Sequence, residues 1–260
     1  MTFNLHFTDF CNYKCKYCFI KKDYNELSMD GIKTIIDKIY DFSIKNKEEV
    51  RINLAGGEPL VSNNIQTIID YIYQKGLKVS IITNGYYLTD SFIANNKDKI
   101  GMIGISVDSL DDKTNINIGR CCGKRVLAKE RLLHIKEIIK STQIKLKINI
   151  CCSKANLSED MTDILYQLKA DRVKLLRVMC DHDDSLRDYE LTDDEWNIIK
   201  KRYEGIPNTV FEDINDMKTR YIIIDSKGNV SRNNLHISNN SLLDKSIEDC
   251  LEAIKVKVAV

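Results

Sequence analysis

Cys11-Asn12-Tyr13-Lys14-Cys15-Lys16-Tyr17-Cys18 spaces three cysteines as C-x3-C-x2-C, directly after a β-rich run, Phe3–Thr8. Three thiolates on a tight loop can each hold one iron of a [4Fe-4S] cluster, leaving the fourth iron open to a small ligand. The same residues could instead be zinc ligands or buried thiols. A structural zinc site wants four ligands, often as paired CxxC; His6 could supply a fourth, and nothing else completes that pattern. A second motif, Gly56-Gly57-Glu58-Pro59, follows the next strand. Glycines let a backbone approach a ligand closely, although the tetrapeptide also reads as an ordinary strand-to-helix turn. Asn84 and Ser106 end two further strands, and Asn84-Gly85 reads equally as a turn.

Short β-rich runs alternate with helical patterns along the chain. The expected strands are Phe3–Thr8, Val50–Ala55, Lys78–Thr83, Met102–Val107, Lys145–Ile150 and Val173–Val178. Between them run apolar stripes at helical spacing: Ile32, Ile35, Ile36 and Ile39; Ile65, Ile68, Ile69 and Ile72; Leu132, Ile135, Ile138 and Ile139. Gly76 is a natural helix stop, and Thr192 with Glu195 has capping-box spacing. This alternation predicts an α/β fold with a parallel sheet and right-handed crossovers: a partial (β/α)6 barrel. Tyr221–Asp225 and Asn229–Arg232 read as a hairpin around Ser226-Lys227-Gly228. The expected organisation is a core over residues 1–180 and, within the same domain, a C-terminal extension over 181–260 that closes the substrate side.

Strand side chains alternate between faces, and in a barrel one face packs on helices while the other lines the lumen. Phe3, Leu5 and Phe7 oppose Asn4, His6 and Thr8. Ile52 and Leu54 oppose Arg51 and Asn53; Leu146, Ile148 and Ile150 oppose Lys147 and Asn149; Val173 and Leu175 oppose Arg172 and Lys174. The helices take the apolar faces, so Arg51, Lys147, Arg172 and Lys174 point inward. Buried charge needs a partner, so the lumen is expected to bind an anion of several charges, such as a polyphosphate. The plainer alternative puts these residues at strand ends, in water or in salt bridges.

At 260 residues the chain can bury a sizeable core, and a net charge of +1 shows no general pull towards nucleic acid or membrane. MTFNLHFTDF lacks a signal-peptide pattern, and no apolar run reaches membrane-spanning length. Nine cysteines in such a chain suggest reduced thiols in the cytoplasm.

The cysteine loop, with aromatic Tyr17 before its last cysteine, resembles that of the radical S-adenosylmethionine (radical SAM) superfamily. That resemblance implies a barrel of the radical SAM type. The open iron takes the amino and carboxylate groups of S-adenosylmethionine, and one electron cleaves the sulfonium to a 5′-deoxyadenosyl radical. Gly56, Gly57, Glu58 and Pro59 then contact the methionine end, with Tyr17, Asn84 and Ser106 also at the cofactor. Asp108 could help position the cofactor ribose or simply cap a helix.

Within the superfamily, the sequence resembles the viperin-like enzymes over about residues 3–225, a far more specific match than the cysteines. The matching segments include His6-Phe7-Thr8, Asn53 to Pro59, Thr83-Asn84-Gly85, Ile105-Ser106, Asp108-Ser109 and Ile118-Gly119-Arg120. Lys147-Ile148-Asn149, Glu159 to Thr162, Arg172 with Lys174, and Met217-Lys218 with Tyr221 complete the series. The resemblance implies that a ribonucleoside triphosphate (CTP, UTP or GTP) loses its 4′ hydrogen to the radical and its 3′ hydroxyl as water. One-electron reduction plus a proton then gives a chain-terminating 3′-deoxy-3′,4′-didehydro nucleotide, which suits antiviral or antiphage defence. Arg51, Lys147, Arg172 and Lys174 would neutralise the triphosphate beside Asn53 and Asn149, with Lys218 in the same substrate-binding set. Arg120 would lie near cofactor and phosphates, and Tyr221 would donate a hydrogen or proton. The implied cofactors are one [4Fe-4S] cluster and S-adenosylmethionine. The implied partners are the triphosphate and an electron donor such as flavodoxin or ferredoxin, with the protein a monomer bound neither to a nucleic-acid polymer nor to a membrane.

Several positions depart from that pattern. Arg51 stands where the vertebrate enzyme has lysine, a retained charge of different geometry, and Ala55 replaces a serine. Cys121-Cys122 follows Gly119-Arg120 where glycine-rich sequence is expected; both are read as buried spectators. The vertebrate amphipathic membrane helix and terminal aromatic residue have no counterpart. His134 reads as a surface residue, and Asp181-His182-Asp183-Asp184 as a solvated acidic loop or a cation site. Cys151, Cys152, Cys180 and Cys250 do not form the clustered set of an auxiliary iron–sulfur site. Two rival readings are another radical enzyme acting on a peptide or RNA, and a non-catalytic iron–sulfur redox module. Base selection is not readable; Thr8 and the 180–190 loop are candidates.

Overall fold

The computed structural model describes residues 1–20, 23–180, 184–232 and 239–255. Six strands follow the order of the sequence, each pairing parallel with the next: β1 (Thr2–Thr8), β2 (Arg51–Gly56), β3 (Lys78–Thr83), β4 (Ile100–Ser106), β5 (Lys145–Cys152) and β6 (Arg172–Arg177). Their positions match the expected strands to within two residues at either end. β7 (Thr209–Glu212), which the sequence pattern did not suggest, adds parallel to β6. β8 (Ile222–Ile224) pairs parallel with β1 and turns back as β9 (Val230–Arg232), the expected hairpin. Among the described residues the sheet runs β7-β6-β5-β4-β3-β2-β1-β8-β9 and is open, as a partial barrel requires.

The connecting helices start and stop where local chemistry dictates. α1 (Met29–Asn46) begins at Ser28, whose Oγ accepts the Gly31 N–H at 3.1 Å. α2 (Ile65–Gln74) is followed by Gly76 at φ +72°. α3 (Asp90–Asn96), α4 (Asp112–Asn117), α5 (Lys129–Lys140) and α6 (Thr162–Leu168) lie between the next strands. α7 (Asp193–Tyr203) opens with the Thr192–Glu195 capping box. α8 (Ile214–Arg220) joins β7 to β8, and α9 (Ile247–Lys255) follows β9. No helix among the described residues is long and apolar enough to cross a membrane.

The apolar stripes meet the apolar strand faces. Ile32, Ile35, Ile36 and Ile39 of α1 and Ile68, Ile69 and Ile72 of α2 are fully buried, in one core with Phe3, Leu5, Ile52, Leu54 and Ile81. Burying one such side chain contributes about 1.5–3 kcal/mol. Leu54→Ala should therefore cost about 2–5 kcal/mol, read by denaturant unfolding; a cost below about 1 kcal/mol would contradict this packing. With one sheet face committed to the core, the other face is left for a ligand.

Candidate active site

That second face lines a cavity of about 310 Å³. β1 presents Asn4 and His6, β2 presents Asn53 and Ala55, β5 presents Lys147, Asn149 and Cys151, and β6 presents Lys174. Strand parity thus places these side chains as expected. Asn53 is largely taken up within the sheet: its amide donates to Asn4 at 2.8 Å and its carbonyl accepts from Ser80 at 2.8 Å.

The cations gather at one end of the cavity. Arg51 and Arg172 do not form its wall, but each Nε is buried without a hydrogen-bond partner in the protein, as is the Asn149 Oδ1. Arg172 sits beside Lys147 in register, and Lys174 beside Asn149. Burial, and then the charges of Lys174 and Arg172, push the Lys147 ammonium down to about 7; Glu212 opposes them, and Arg51 adds a smaller push downward. A group so placed gains from an anion of high charge.

Lys174 differs from the expectation of an unpartnered cation. Its ammonium lies 2.6 Å from Glu212 Oε1, with the two side chains 6% and 3% exposed. It also donates to the Tyr221 hydroxyl, which in turn donates to Glu212 Oε2. Burial first, then Glu212, push the Tyr221 phenol far above its ordinary value, so it stays protonated. Glu212 escaped the sequence reading because it closes a four-residue edge strand, Thr209–Glu212, with no apolar alternation. Met217 and Tyr221 line the cavity, whereas Lys218, half-buried, is absent from its described wall.

Cys11, Cys15 and Cys18 line the same cavity with Tyr17. Two backbone clamps shape their loop. Gly57 N donates to Thr8 O and Glu58 N to Phe10 O, both at 2.8 Å, while Lys14 N and Lys16 N donate to Gly119 O and Ile118 O at 3.0 and 2.9 Å. The glycines are required by these contacts. A Cβ on Gly57 would stand 2.2 Å from Phe10 O, and one on Gly119, at φ +76°, 2.1 Å from Lys14 O. The Gly56-Gly57 pair therefore packs against residues 6–10, the segment that leads into the cysteine loop, in addition to facing the cavity. Gly119→Ala should lower the iron bound after reconstitution well below wild type while leaving far-ultraviolet circular dichroism unchanged; full iron loading would contradict the clamp.

The donor set fits a cluster. Among the described residues, no three His, Cys, Asp or Glu side chains converge on a point suited to one metal ion. A [4Fe-4S] cluster asks for something else: three thiolates standing apart around a volume, each on its own iron. The three cysteines, spread along a clamped loop at the cavity wall, meet that demand, and the Tyr13 N–H donates to Cys11 Sγ at 3.4 Å. His6 lines the same cavity, and burial lowers its imidazole to about 4.

Asp108, 1% exposed, is tied to the cysteine loop through Tyr17. It accepts from the Tyr17 hydroxyl at 2.9 Å and from Cys151 N at 2.9 Å, and it pairs with Arg120 Nε. Asp108 is thus a hub, while Asp111 caps α4. Burial and Asp108 raise the Tyr17 phenol and the Cys151 thiol well above their usual values. Glu58 is buried and fully engaged by Leu60 N, the Thr83 hydroxyl and Asn84 N at 3.1, 2.7 and 2.7 Å. Asn84, Ser106, Gly56, Gly57 and Glu58 line the cavity; Pro59, at the start of a 3-10 turn, and Thr8, fully buried, do not. His134 is exposed against Asp90. Asp181, His182 and Asp183 lie outside the described residues.

Residues 5–165 match the family model described as "Radical SAM superfamily". An S-adenosylmethionine-dependent nucleotide dehydratase of Psychrobacter lutiphocae is 32% identical, the match covering 88% of this chain and 81% of that one. Another of the same name, from Selenomonas ruminantium, is 32% identical over 86% of this chain and 83% of its own. Streptococcus suis SuiB, solved with S-adenosylmethionine bound, has the same fold at TM-score 0.73 and 17% identity, covering 96% of this chain and 65% of that one. The chain belongs to the radical SAM superfamily and, within it, to the family of the S-adenosylmethionine-dependent nucleotide dehydratases.

Proposed function

We propose that this enzyme converts a ribonucleoside triphosphate (CTP, UTP or GTP) to its 3′-deoxy-3′,4′-didehydro analogue by loss of the 4′ hydrogen and of water, in antiviral or antiphage defence. The observation that carries this reading is that the cysteine loop and the cationic end open onto one cavity. The names of the two dehydratase relatives support it. When bound, the cluster at Cys11, Cys15 and Cys18 and its S-adenosylmethionine supply the radical that removes the hydrogen.

The chain's own residues do the rest. Tyr17, Gly56, Gly57, Glu58, Asn84, Ser106 and Arg120 shape the cofactor end, Glu58 by fixing the turn at Asn84 and Arg120 through Asp108. Lys147 and Lys174, backed by Arg51 and Arg172, grip the phosphates, and the unmatched Asn149 Oδ1 is available to the ligand. Tyr221 stands at the cavity wall as the donor that completes the reaction on the sugar. Residues after 181 supply Met217, Tyr221 and Ile223 to that wall, which supports the closing role given to the C-terminal extension. We place the enzyme in the cytoplasm as a monomer, reduced by flavodoxin or ferredoxin. Anaerobic incubation of the reconstituted enzyme with S-adenosylmethionine, a reductant and each of CTP, UTP, GTP and ATP tests the reading by mass spectrometry. One triphosphate should lose a water with equal 5′-deoxyadenosine formed; no dehydrated product from any would overturn it.

A further inference from the structure

We propose that Glu212 is the proton acceptor for Tyr221, so that the phenol gives its electron to the substrate and its proton to this carboxylate. The inference rests on the dehydratase reading above and adds a residue which that reading does not use.

The geometry is specific. Tyr221 follows α8, Glu212 ends β7, and Lys174 lies on β6, so three separate elements bring the groups together. The Tyr221 hydroxyl donates to Glu212 Oε2, and Lys174 Nζ lies 2.6 Å from Oε1 and also donates to the phenol oxygen. The phenol hydrogen is therefore aimed at a carboxylate whose other oxygen is held by an ammonium. A buried carboxylate placed only to neutralise Lys174 would have no need of the phenol. One placed only to orient the phenol would have no need of Lys174. Both contacts together place a carboxylate, paired with an ammonium, where it can take the phenol proton.

The electron count gives such a group a role. Once the 4′ hydrogen is gone and the 3′ C–O bond breaks, hydroxide leaves and takes a proton from solvent to become water. The sugar is left one electron short of the C3′=C4′ double bond. Tyr221 supplies that electron and becomes a neutral phenoxyl radical, because its O–H bond breaks and the proton goes to Glu212. A low-potential one-electron donor then reduces the phenoxyl radical, and the proton returns from Glu212. Without a base in contact, the phenol would have to lose an electron while still protonated, forming a cationic radical in a buried site already rich in cations. Lys174 has a further N–H to offer a phosphate, so substrate can bind without dissolving the triad.

The test compares Glu212→Gln, Glu212→Asp and Tyr221→Phe in the reconstituted enzyme. It reads the ratio of dehydrated nucleotide to 5′-deoxyadenosine, and the binding of inorganic tripolyphosphate by calorimetry. Glutamine keeps the side-chain shape and one accepting oxygen but takes no proton, so the ratio should fall at least about 100-fold. Tripolyphosphate should bind as well as before, or up to about tenfold tighter, because one negative charge is gone. Aspartate should recover part of the lost ratio, and it carries the test if the glutamine variant does not fold. A wild-type ratio in Glu212→Gln overturns the proposal. So does a joint loss of tripolyphosphate binding and 5′-deoxyadenosine, which would mark a purely structural role. If Tyr221→Phe loses product while Glu212→Gln keeps it, only the role of Glu212 falls; if Tyr221→Phe turns over normally, the reading of Tyr221 falls with it.

Discussion

Cys15→Ala should leave the reconstituted protein with no more than adventitious iron and no formation of 5′-deoxyadenosine. On the proposed assignment each thiolate of the C-x3-C-x2-C loop would hold its own iron, so the loss of one would leave a cluster with two protein anchors and two open corners. The neighbouring Cys151 is the decisive control. It lines the same cavity, and burial and Asp108 hold it as a thiol. Cys151→Ser should keep its iron, its charge-transfer absorbance and its cofactor cleavage. If Cys151→Ser lost the cluster while Cys15→Ala retained it, the assignment of the three anchoring cysteines would be wrong.

Lys147→Met should weaken triphosphate binding and raise thermal stability at the same time. Truncating one partner of a buried charge pair costs about 2–5 kcal/mol, or roughly 30- to 5,000-fold in affinity. The pH dependence identifies the group. Burial and three neighbouring cations lower the free ammonium to about 7, and a bound triphosphate raises it again. Wild-type affinity should therefore fall as pH rises above about 7, by up to about tenfold per pH unit, whereas Lys147→Met should lack this slope. The stability effect has the opposite sign. A lysine whose folded value lies below its unfolded value of 10.5 binds fewer protons when folded, so wild-type stability rises with pH between about 7 and 10.5. Lys147→Met should melt higher than wild type below about pH 7, with the difference closing towards pH 10.5. Calorimetry and thermal melts across this range give both quantities; a variant that binds as tightly as wild type and melts lower would contradict the account.

The parts of the site that follow from local periodicity were readable in advance. Alternation along β5 and β6 puts Lys147, Asn149 and Lys174 on one face, and the cysteine spacing marks the loop after β1. What escaped depends on contacts between distant segments. Tyr17 meets Asp108 across 91 residues, and Asp108 joins Arg120 and Cys151 only once the sheet has formed. Glu212 lies on an edge strand too short and too partly exposed to show a pattern. The Gly56-Gly57 pair was legible as a site of close approach, but the backbone it approaches is that of Thr8 to Phe10. The sequence alone does not show which of two nearby chains needs the room. Arg51 and Arg172 share the predicted face yet stand behind the cavity wall, and reach it through their charge.

A triphosphate deuterated at the 4′ carbon of its ribose tests the central claim most directly. If the cysteine loop and the cationic end serve one reaction, the sugar lies between them, and the label should appear in 5′-deoxyadenosine in step with the dehydrated nucleotide. 5′-Deoxyadenosine that forms without the label, while the nucleotide keeps its deuterium, would contradict it.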